Sequence, residues 1–160
     1  MLTRDRVFLD PWEPVRSDPF FTLEVQEGGL ARLREAEDLV DFGIFREEDD
    51  ELVGRAQLSG ISGAPFANAH LGYFVSEAHN GRGYATEAVR QAVEHAFAEL
   101  GLHRVQAAVM PRNAASIRVL EKAGFREEGL ALRYLKIAGV WEDHTLYAVT
   151  LEEWPETGSN

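Results

Sequence analysis

The sequence predicts one α/β (α+β) domain over residues 1–160, built on a twisted, mixed and mostly antiparallel sheet with a few flanking helices. Three observations predict it. Apolar residues alternate in three segments before residue 76, recur every three or four residues at 85–100, and alternate again in three segments after residue 103. A chain of 160 residues is long enough to bury one sizeable core.

The first twenty residues predict an extended N-terminal arm or loop. Three prolines around Trp12 fix φ and remove amide donors, which disfavours regular structure. A helix is expected to begin near Pro19, with Ser17 or Asp18 as its N-cap, because apolar residues then follow at roughly helical spacing. The glycine pair 28–29 weakens this helix, since each glycine costs about 1 kcal/mol in a helix interior.

Three strands are predicted after the arm. Alternating apolar residues mark 39–45, 52–61 and about 66–75. An acidic run at 47–51 and a loop rich in glycine and proline at 62–65 separate them. Because these connections are short, we expect an antiparallel meander.

The pattern changes at Ala85. Apolar residues recur at intervals of three and four up to Leu100, and charged residues occupy the opposite face, so a long amphipathic helix is predicted. Gly101 is expected to end this helix. Alternation at 104–109 then predicts a fourth strand.

A shorter helix and a pair of strands complete the predicted domain. Pro111 and Asn113 open the helix, and Gly124 ends it. Strands are predicted at 125–138 and 141–150, and the glycine between them indicates a hairpin turn. Helices placed between strands make the sheet mixed.

Composition narrows the function classes. The formal net charge is −11, which argues against binding to the phosphate backbone of nucleic acids, and the absence of cysteine removes disulfides and thiolate chemistry. No apolar run approaches the ~20 residues of a membrane helix, and the N-terminus lacks the apolar core of a secretory signal. We therefore expect a cytoplasmic protein with no membrane partner. The scattered histidines predict no metal site, and residues 155–160 are expected to form a disordered tail.

The most informative segment is Asn80-Gly81-Arg82-Gly83-Tyr84-Ala85-Thr86, between the third strand and the long helix. Glycine lets a backbone approach a ligand closely, and a helix start offers free N–H groups and the positive end of the helix dipole. Together these features favour the binding of a pyrophosphate group by the turn. The guanidinium of Arg82 is expected to add a fixed charge that forks onto phosphate oxygens.

Two familiar phosphate-binding motifs do not fit this turn. A P-loop requires a lysine after its second glycine, and the segment has none. A dinucleotide-binding turn has a longer Gly-x-Gly-x-x-Gly pattern at the start of a parallel βαβ unit, whereas this turn follows a predicted antiparallel meander. A helix start with tight-turn glycines and no ligand is the remaining alternative.

The segments around the turn resemble the acetyl-CoA signature of the GNAT superfamily of N-acetyltransferases. These segments are LGYFV at 71–75, GRGYATEA at 81–88, GLHRV at 101–105, PRNAASI at 111–117 and EKAGF at 121–125. Two more, FLDPWEPV at 8–15 and GVWEDHTLY at 139–147, resemble the Rim-type ribosomal-protein-alanine N-acetyltransferases. The resemblance covers about residues 8–154.

The resemblance implies acetyl-CoA as co-substrate and assigns its contacts. Main-chain groups of Phe74 and Val75 are expected to pair with the pantetheine arm, as an added strand would. The turn formed by Gly81, Arg82, Gly83, Tyr84, Ala85 and Thr86 is expected to cradle the pyrophosphate. Asn113 is expected to hydrogen-bond the pantetheine arm, to cap its helix, or both.

This chain departs from the family pattern at three places. The motif begins with Asn80, where glutamine or arginine is frequent. Leu120 stands where a tyrosine is the usual acid for the leaving thiolate, and leucine donates no proton. The branch usually carries a strand and most of a helix ahead of the Trp-Glu-Pro segment, so part of the acceptor-side wall is expected to be absent, rebuilt or encoded upstream of Met1.

Acetyl transfer to an amine needs a base and a proton donor. His70, just before the LGYFV segment, is the first candidate for the base, since histidine titrates at a suitable pH. His144 with Asp143 is the second candidate, with bracing of the hairpin as its alternative role. Ser116, one helical turn after Asn113, is the remaining candidate for the donor.

The acceptor side is the least specified by sequence. Trp12, Tyr134 and Trp141 are candidates for lining it, and aromatic residues at such positions also serve as core. The expected function is direct acetyl transfer to a protein N-terminal α-amine of the ribosomal-protein-alanine type. Acetylation of a small amine and a non-catalytic module that binds acyl-CoA are the alternatives.

Overall fold

The structure, a computed structural model, describes residues 1–155 and contains the strands expected from the sequence. The strands are β1 (Leu39–Phe45), β2 (Leu52–Ser62), β3 (Asn68–Val75), β4 (Arg104–Val109), β5 (Arg126–Ile137) and β6 (Val140–Thr150). The helices are α1 (Arg6–Leu9), α2 (Leu23–Glu35), α3 (Tyr84–Ala98) and α4 (Ala114–Lys122), with short 3-10 turns at Asp18–Phe21 and Glu77–His79. The tail predicted at 155–160 lies beyond the described residues apart from Pro155.

The six strands form one sheet in the order β1-β2-β3-β4-β6-β5. Every neighbouring pair is antiparallel except β3 and β4, which are parallel because α3 carries the chain back between them. The prediction of a mixed, mostly antiparallel sheet is therefore confirmed. The hairpin turn is confirmed as well, with φ of 47° at Ala138 and 85° at Gly139.

The parallel pair separates after a short stretch. Its register covers Asn68 to His70 of β3 and Arg104 to Gln106 of β4, and the remaining residues of the two strands are not paired with each other. The strands therefore diverge toward their carboxyl ends. A wedge-shaped gap opens there, at the point where α3 and α4 begin.

The main core lies between the sheet and the two later helices. Val89, Ala92, Val93 and Ala96 are buried along one face of α3, as the amphipathic spacing predicts. Leu120 of α4 is fully buried in the same cluster. Leu120 therefore packs in the core, and this position provides no proton donor.

The N-terminal region differs from the prediction. Residues 1–20 include a short helix, α1, because Arg6–Leu9 precedes the first proline and Leu9 is buried. The predicted helix near Pro19 is a 3-10 turn, and α2 begins only at Leu23. Its cap is Thr22, whose Oγ1 accepts from the Val25 amide at 3.5 Å, and not Ser17 or Asp18.

Candidate active site

The glycine-rich turn presents open amides at the start of α3. Gly81 and Gly83 have φ of 75° and 91°, in the left-handed region that favours glycine. Gly83 is the N-cap and has no side chain to satisfy the helix start. The Glu87 amide makes the first bond of the helix, to the Gly83 carbonyl at 3.1 Å. The amides of residues 84–86 therefore precede the helical hydrogen bonds, at the positive end of the dipole.

A cavity of about 450 Å³, here called the turn cavity, lies against these amides. Its lining from the turn comprises Asn80, Gly81, Gly83, Tyr84, Ala85 and Thr86. A Cβ added at Gly81 or Gly83 would meet no protein atom within 4 Å, so no protein packing requires either residue to be glycine. The turn geometry thus leaves room beside the main chain for a ligand.

Two cations that the sequence reasoning missed lie across the turn cavity. Arg118 and Lys122 of α4 line it together with Ala115 and Val119, whereas Arg82 is exposed and is not among its lining residues. The four residues of α4 occur at intervals of three and four, which places them on one face of the helix. That spacing is the signal in the sequence that identifies Arg118 and Lys122.

A second cavity of about 320 Å³, here called the splay cavity, fills the gap between β3 and β4. Its walls are the diverging strand ends, the start of α4, an N-terminal strap and the tip of the β5–β6 hairpin. The strap is the segment 11–14. The lining includes Trp12, Glu13, Pro14, Tyr73, Phe74, Asn113, Ser116, Lys136 and His144.

The two cavities are lined by consecutive residues of the same two elements, β3 and α4. Val75 and Ala115 line the turn cavity, and the preceding or following residues of the same elements, Phe74 and Ser116, line the splay cavity. The turn cavity at the N-terminus of α3 and the splay cavity between the strands are together called the groove here. Such a groove suits a long ligand with an anionic head and a narrow arm.

Two hydroxyl groups meet inside the splay cavity. The Tyr73 hydroxyl lies 2.8 Å from Ser116 Oγ and 3.1 Å from the Ser116 carbonyl oxygen. Burial raises the pKa of Tyr73 to about 12, although the Ser116 contact opposes this shift. Tyr73 is therefore a neutral phenol at neutral pH and donates a hydrogen bond. When it donates to Ser116 Oγ, the Ser116 hydroxyl proton is available to another acceptor.

Asn113 has the capping geometry expected of it. Its Oδ1 accepts from the Ser116 amide at 3.1 Å. The side-chain NH2 group is a separate donor, so capping leaves this group available on a residue that lines the splay cavity.

The two candidate bases differ in their placement. His144 is buried and lines the splay cavity, and its Nδ1 donates to the Glu142 carbonyl at 3.1 Å, which leaves the lone pair on Nε2. His70 is not among the lining residues of that cavity. Its Nε2 accepts from the Gln106 side chain at 2.8 Å, and burial, helped by Arg104, lowers the pKa of His70.

The three predicted aromatic residues are not brought together. Trp12 lines the splay cavity, and Tyr134 packs against the His144 ring with centroids 5.6 Å apart. Trp141 is 59% exposed and outside the lining. Asp143 braces the hairpin, since its Oδ1 accepts from the Arg133 amide at 2.8 Å.

The strap is fastened over the splay cavity from two sides. The Ala138 amide of the hairpin donates to the Glu13 carbonyl at 2.9 Å, and Arg112 donates to the Pro11 carbonyl at 3.3 Å. The Arg112 guanidinium also lies 5.5 Å from the Trp12 ring centroid and pairs with Glu142 at 2.9 Å. These contacts hold Trp12 and Glu13 against the cavity.

A larger cavity of about 750 Å³ lies elsewhere, between β1 and α3. It is lined mainly by apolar and acidic side chains such as Phe42, Phe45, Glu47 and Glu87. It contains neither the hydroxyl pair nor the buried imidazole. The splay cavity is therefore the better candidate for the catalytic site, because it contains these groups although its volume is smaller.

The fold and the paired cavities are typical of an acyltransferase. The family model for the acetyltransferase (GNAT) domain matches residues 6–126, and the chain belongs to this family. It is an N-acetyltransferase of the GNAT fold, and its relatives agree with the Rim-type branch. Within residues 1–155, no helix combines the length and apolarity needed to cross a lipid bilayer.

Three relatives show the likeness in detail. The probable N-acetyltransferase YjcK of Bacillus subtilis (strain 168) is 45% identical over 150 residues, 92% of this chain and 83% of that protein. The ribosomal-protein-uS5-alanine N-acetyltransferase of Escherichia coli (strain K12) is 33% identical over 153 residues, which cover 94% of this chain and 79% of that protein. The structure of Mycobacterium smegmatis RimJ in complex with CoA-disulfide matches with a TM-score of 0.91 and 34% identity, covering 96% of this chain and 76% of that one.

Proposed function

We propose that this protein transfers the acetyl group of acetyl-CoA directly to the N-terminal α-amine of a protein, of the ribosomal-protein-alanine type. One observation carries the proposal: consecutive residues of β3 and α4 line the cavity beside the open amides of α3 and the cavity that holds the Tyr73–Ser116 hydroxyl pair and His144. A relative from Escherichia coli is named for alanine acetylation of ribosomal protein uS5. The net charge of −11 suits a basic acceptor protein.

In this proposal, acetyl-CoA occupies the groove with its diphosphate at the turn. The amides of residues 81–86, with Arg118 and Lys122, hold the phosphates. Main-chain groups of Phe74 and Val75 and the Asn113 side chain hold the pantetheine arm. Bound acetyl-CoA supplies an activated acetyl group, so the protein needs no covalent nucleophile.

The position of Arg118 leads to a first prediction. Arg118→Ala is expected to raise the KM for acetyl-CoA by about 10-fold, because it removes one charge-assisted contact to phosphate. Arg82, which was expected from the sequence to contact phosphate, provides the matched comparison, Arg82→Ala, at a residue outside the cavity lining. Steady-state kinetics with varied acetyl-CoA distinguish the two. An unchanged KM in Arg118→Ala would contradict the phosphate contact.

In the proposed transfer step, one protein group accepts a proton and another donates a hydrogen bond. His144 Nε2 accepts a proton from the acceptor amine, and the Ser116 hydroxyl donates a hydrogen bond to the departing sulfur. Tyr73 orients the serine hydroxyl through their contact. His70 stays a predicted base, although its engaged Nε2 and its place outside the cavity lining favour His144.

The hydroxyl pair leads to a second prediction. Tyr73→Phe is expected to lower kcat about 10-fold with little change in the KM for acetyl-CoA, because only the orientation of Ser116 is lost. Ser116→Ala is expected to lower kcat further. In the double variant, the effect of Tyr73→Phe should nearly vanish, since the two residues act as a unit. Additive losses in this cycle would mean that Tyr73 does not act through Ser116.

Thiol release with a panel of acceptors tests the proposed function. Wild-type protein is incubated with acetyl-CoA and an alanine-initiated hexapeptide, the same peptide with a blocked N-terminus, or spermidine. Turnover of the free peptide alone supports the proposal. Turnover of spermidine alone would replace it by small-amine acetylation, and calorimetric binding of acetyl-CoA without any turnover would indicate a non-catalytic module.

A further inference from the structure

One carboxylate faces the acceptor end of the groove. Glu13, on the strap, is the only acidic residue among the described residues that line the splay cavity. Its side chain is 29% exposed, so most of it is enclosed. The main chain at Glu13 is fixed by the hydrogen bond from the Ala138 amide, which holds the side chain over the cavity.

Arg16 forms a loose ion pair with Glu13, and neither of the two arginines that act on Glu13 donates a hydrogen bond to its carboxylate. Arg16 Nε lies 4.0 Å from Glu13 Oε2, beyond hydrogen-bonding distance, and the Arg16 guanidinium stacks over the Phe20 ring at 4.7 Å. Arg55, the other cation that acts on Glu13, donates to Asp41 at 2.6 Å. Burial raises the pKa of the Glu13 carboxyl even against these cations, so the enclosed carboxylate has unused capacity for a cation.

On the basis of the function proposed above, we propose that Glu13 is the anionic seat for the acceptor, binding its ammonium form before transfer. An enclosed carboxylate with no hydrogen-bonded cation of its own gains most from an incoming ammonium group. The seat and His144 line the same cavity, so an amine held by Glu13 lies in the cavity of the group that takes its proton. The Trp12 ring beside Glu13 adds an apolar wall.

This seat defines the acceptor class. It favours a primary ammonium carried on a slim chain, since the strap, the hairpin tip and β3 enclose a volume of only about 320 Å³. The first residue of a peptide with a small side chain is one such group. Amides, alcohols and N-terminally acetylated peptides have no positive charge at the acceptor group. Glu13 is therefore expected not to bind them.

Glu13→Gln tests the seat without changing its shape. The variant is expected to raise the KM for the alanine-initiated hexapeptide by about 10- to 100-fold, while the KM for acetyl-CoA stays within about 2-fold. Glu13→Asp keeps the charge and is expected to recover part of the affinity. Glu24→Gln, an exposed carboxylate on α2, is the matched control for loss of one negative charge.

A binding measurement separates recognition from chemistry. Calorimetry with the unmodified alanine-initiated hexapeptide is run on the protein saturated with coenzyme A, which has no acetyl group to transfer, so the peptide binds without being acetylated. We expect binding to wild-type protein and a loss of about 10-fold or more in Glu13→Gln. Equal binding by both proteins would overturn the seat while leaving the proposed function intact. A wild-type protein that turns over no amine would overturn both.

Discussion

Replacing His144 by glutamine is expected to lower kcat for the peptide acceptor by at least about 100-fold, because general base catalysis typically contributes that much. The imidazole is buried, lines the splay cavity and has its Nδ1 donating to the Glu142 carbonyl. This bond leaves Nε2 as the acceptor. Glutamine keeps the hydrogen bond to the carbonyl but accepts no proton. The KM for acetyl-CoA is expected to change little, since its phosphates lie in the turn cavity.

Two other histidines provide the comparison. His103→Gln removes a half-exposed imidazole paired with Glu152 at 2.9 Å, and should leave kcat unchanged. His70→Gln tests the base predicted from sequence. Because burial lowers the pKa of His70, any pH dependence that it imposes on kcat would lie below pH 6.5. A large loss in His70→Gln with normal kcat in His144→Gln would make His70 the base.

The fold was largely predictable because local patterns and packing agree along most of the chain. The apolar spacing of α3, for example, matches its buried face from Val89 to Ala96. The N-terminal region was less predictable, because Arg6–Leu9 is helical for a tertiary reason, the burial of Leu9. A helix of four residues has too little periodicity to be recognised in a sequence.

The site was predictable where backbone geometry defines it and less so where side chains from distant segments meet. The turn at Gly81–Thr86 was identified because glycine spacing and a helix start are local features. The Tyr73–Ser116 contact joins residues 43 positions apart, and the strap brings Glu13 to the hairpin amide of Ala138. No local sequence pattern predicts contacts between residues so far apart in the chain. Arg118 and Lys122 are intermediate, since their spacing is visible but the cavity they face is not.

Gly83→Ala is expected to weaken acetyl-CoA binding by about 100-fold or more, the largest effect expected on the co-substrate side. The residue is the N-cap of α3 with φ of 91°, it lines the turn cavity, and an added Cβ would meet no protein atom within 4 Å. A methyl group there keeps a diphosphate from approaching the amides, and several charge-assisted hydrogen bonds weaken together. Calorimetry with acetyl-CoA measures the loss directly.

Gly101→Ala is the control that separates ligand access from backbone strain. Gly101 follows the other end of α3, has φ of 63°, and also shows no protein atom within 4 Å of an added Cβ. Both substitutions strain a left-handed residue by roughly 1 kcal/mol and should lower thermal stability similarly. Only Gly83→Ala should lower the affinity for acetyl-CoA, because Gly83 lines the turn cavity and Gly101 does not. Equal affinities in the two variants would mean that the diphosphate does not bind against this turn, and the assignment of the groove to acetyl-CoA would fail with it.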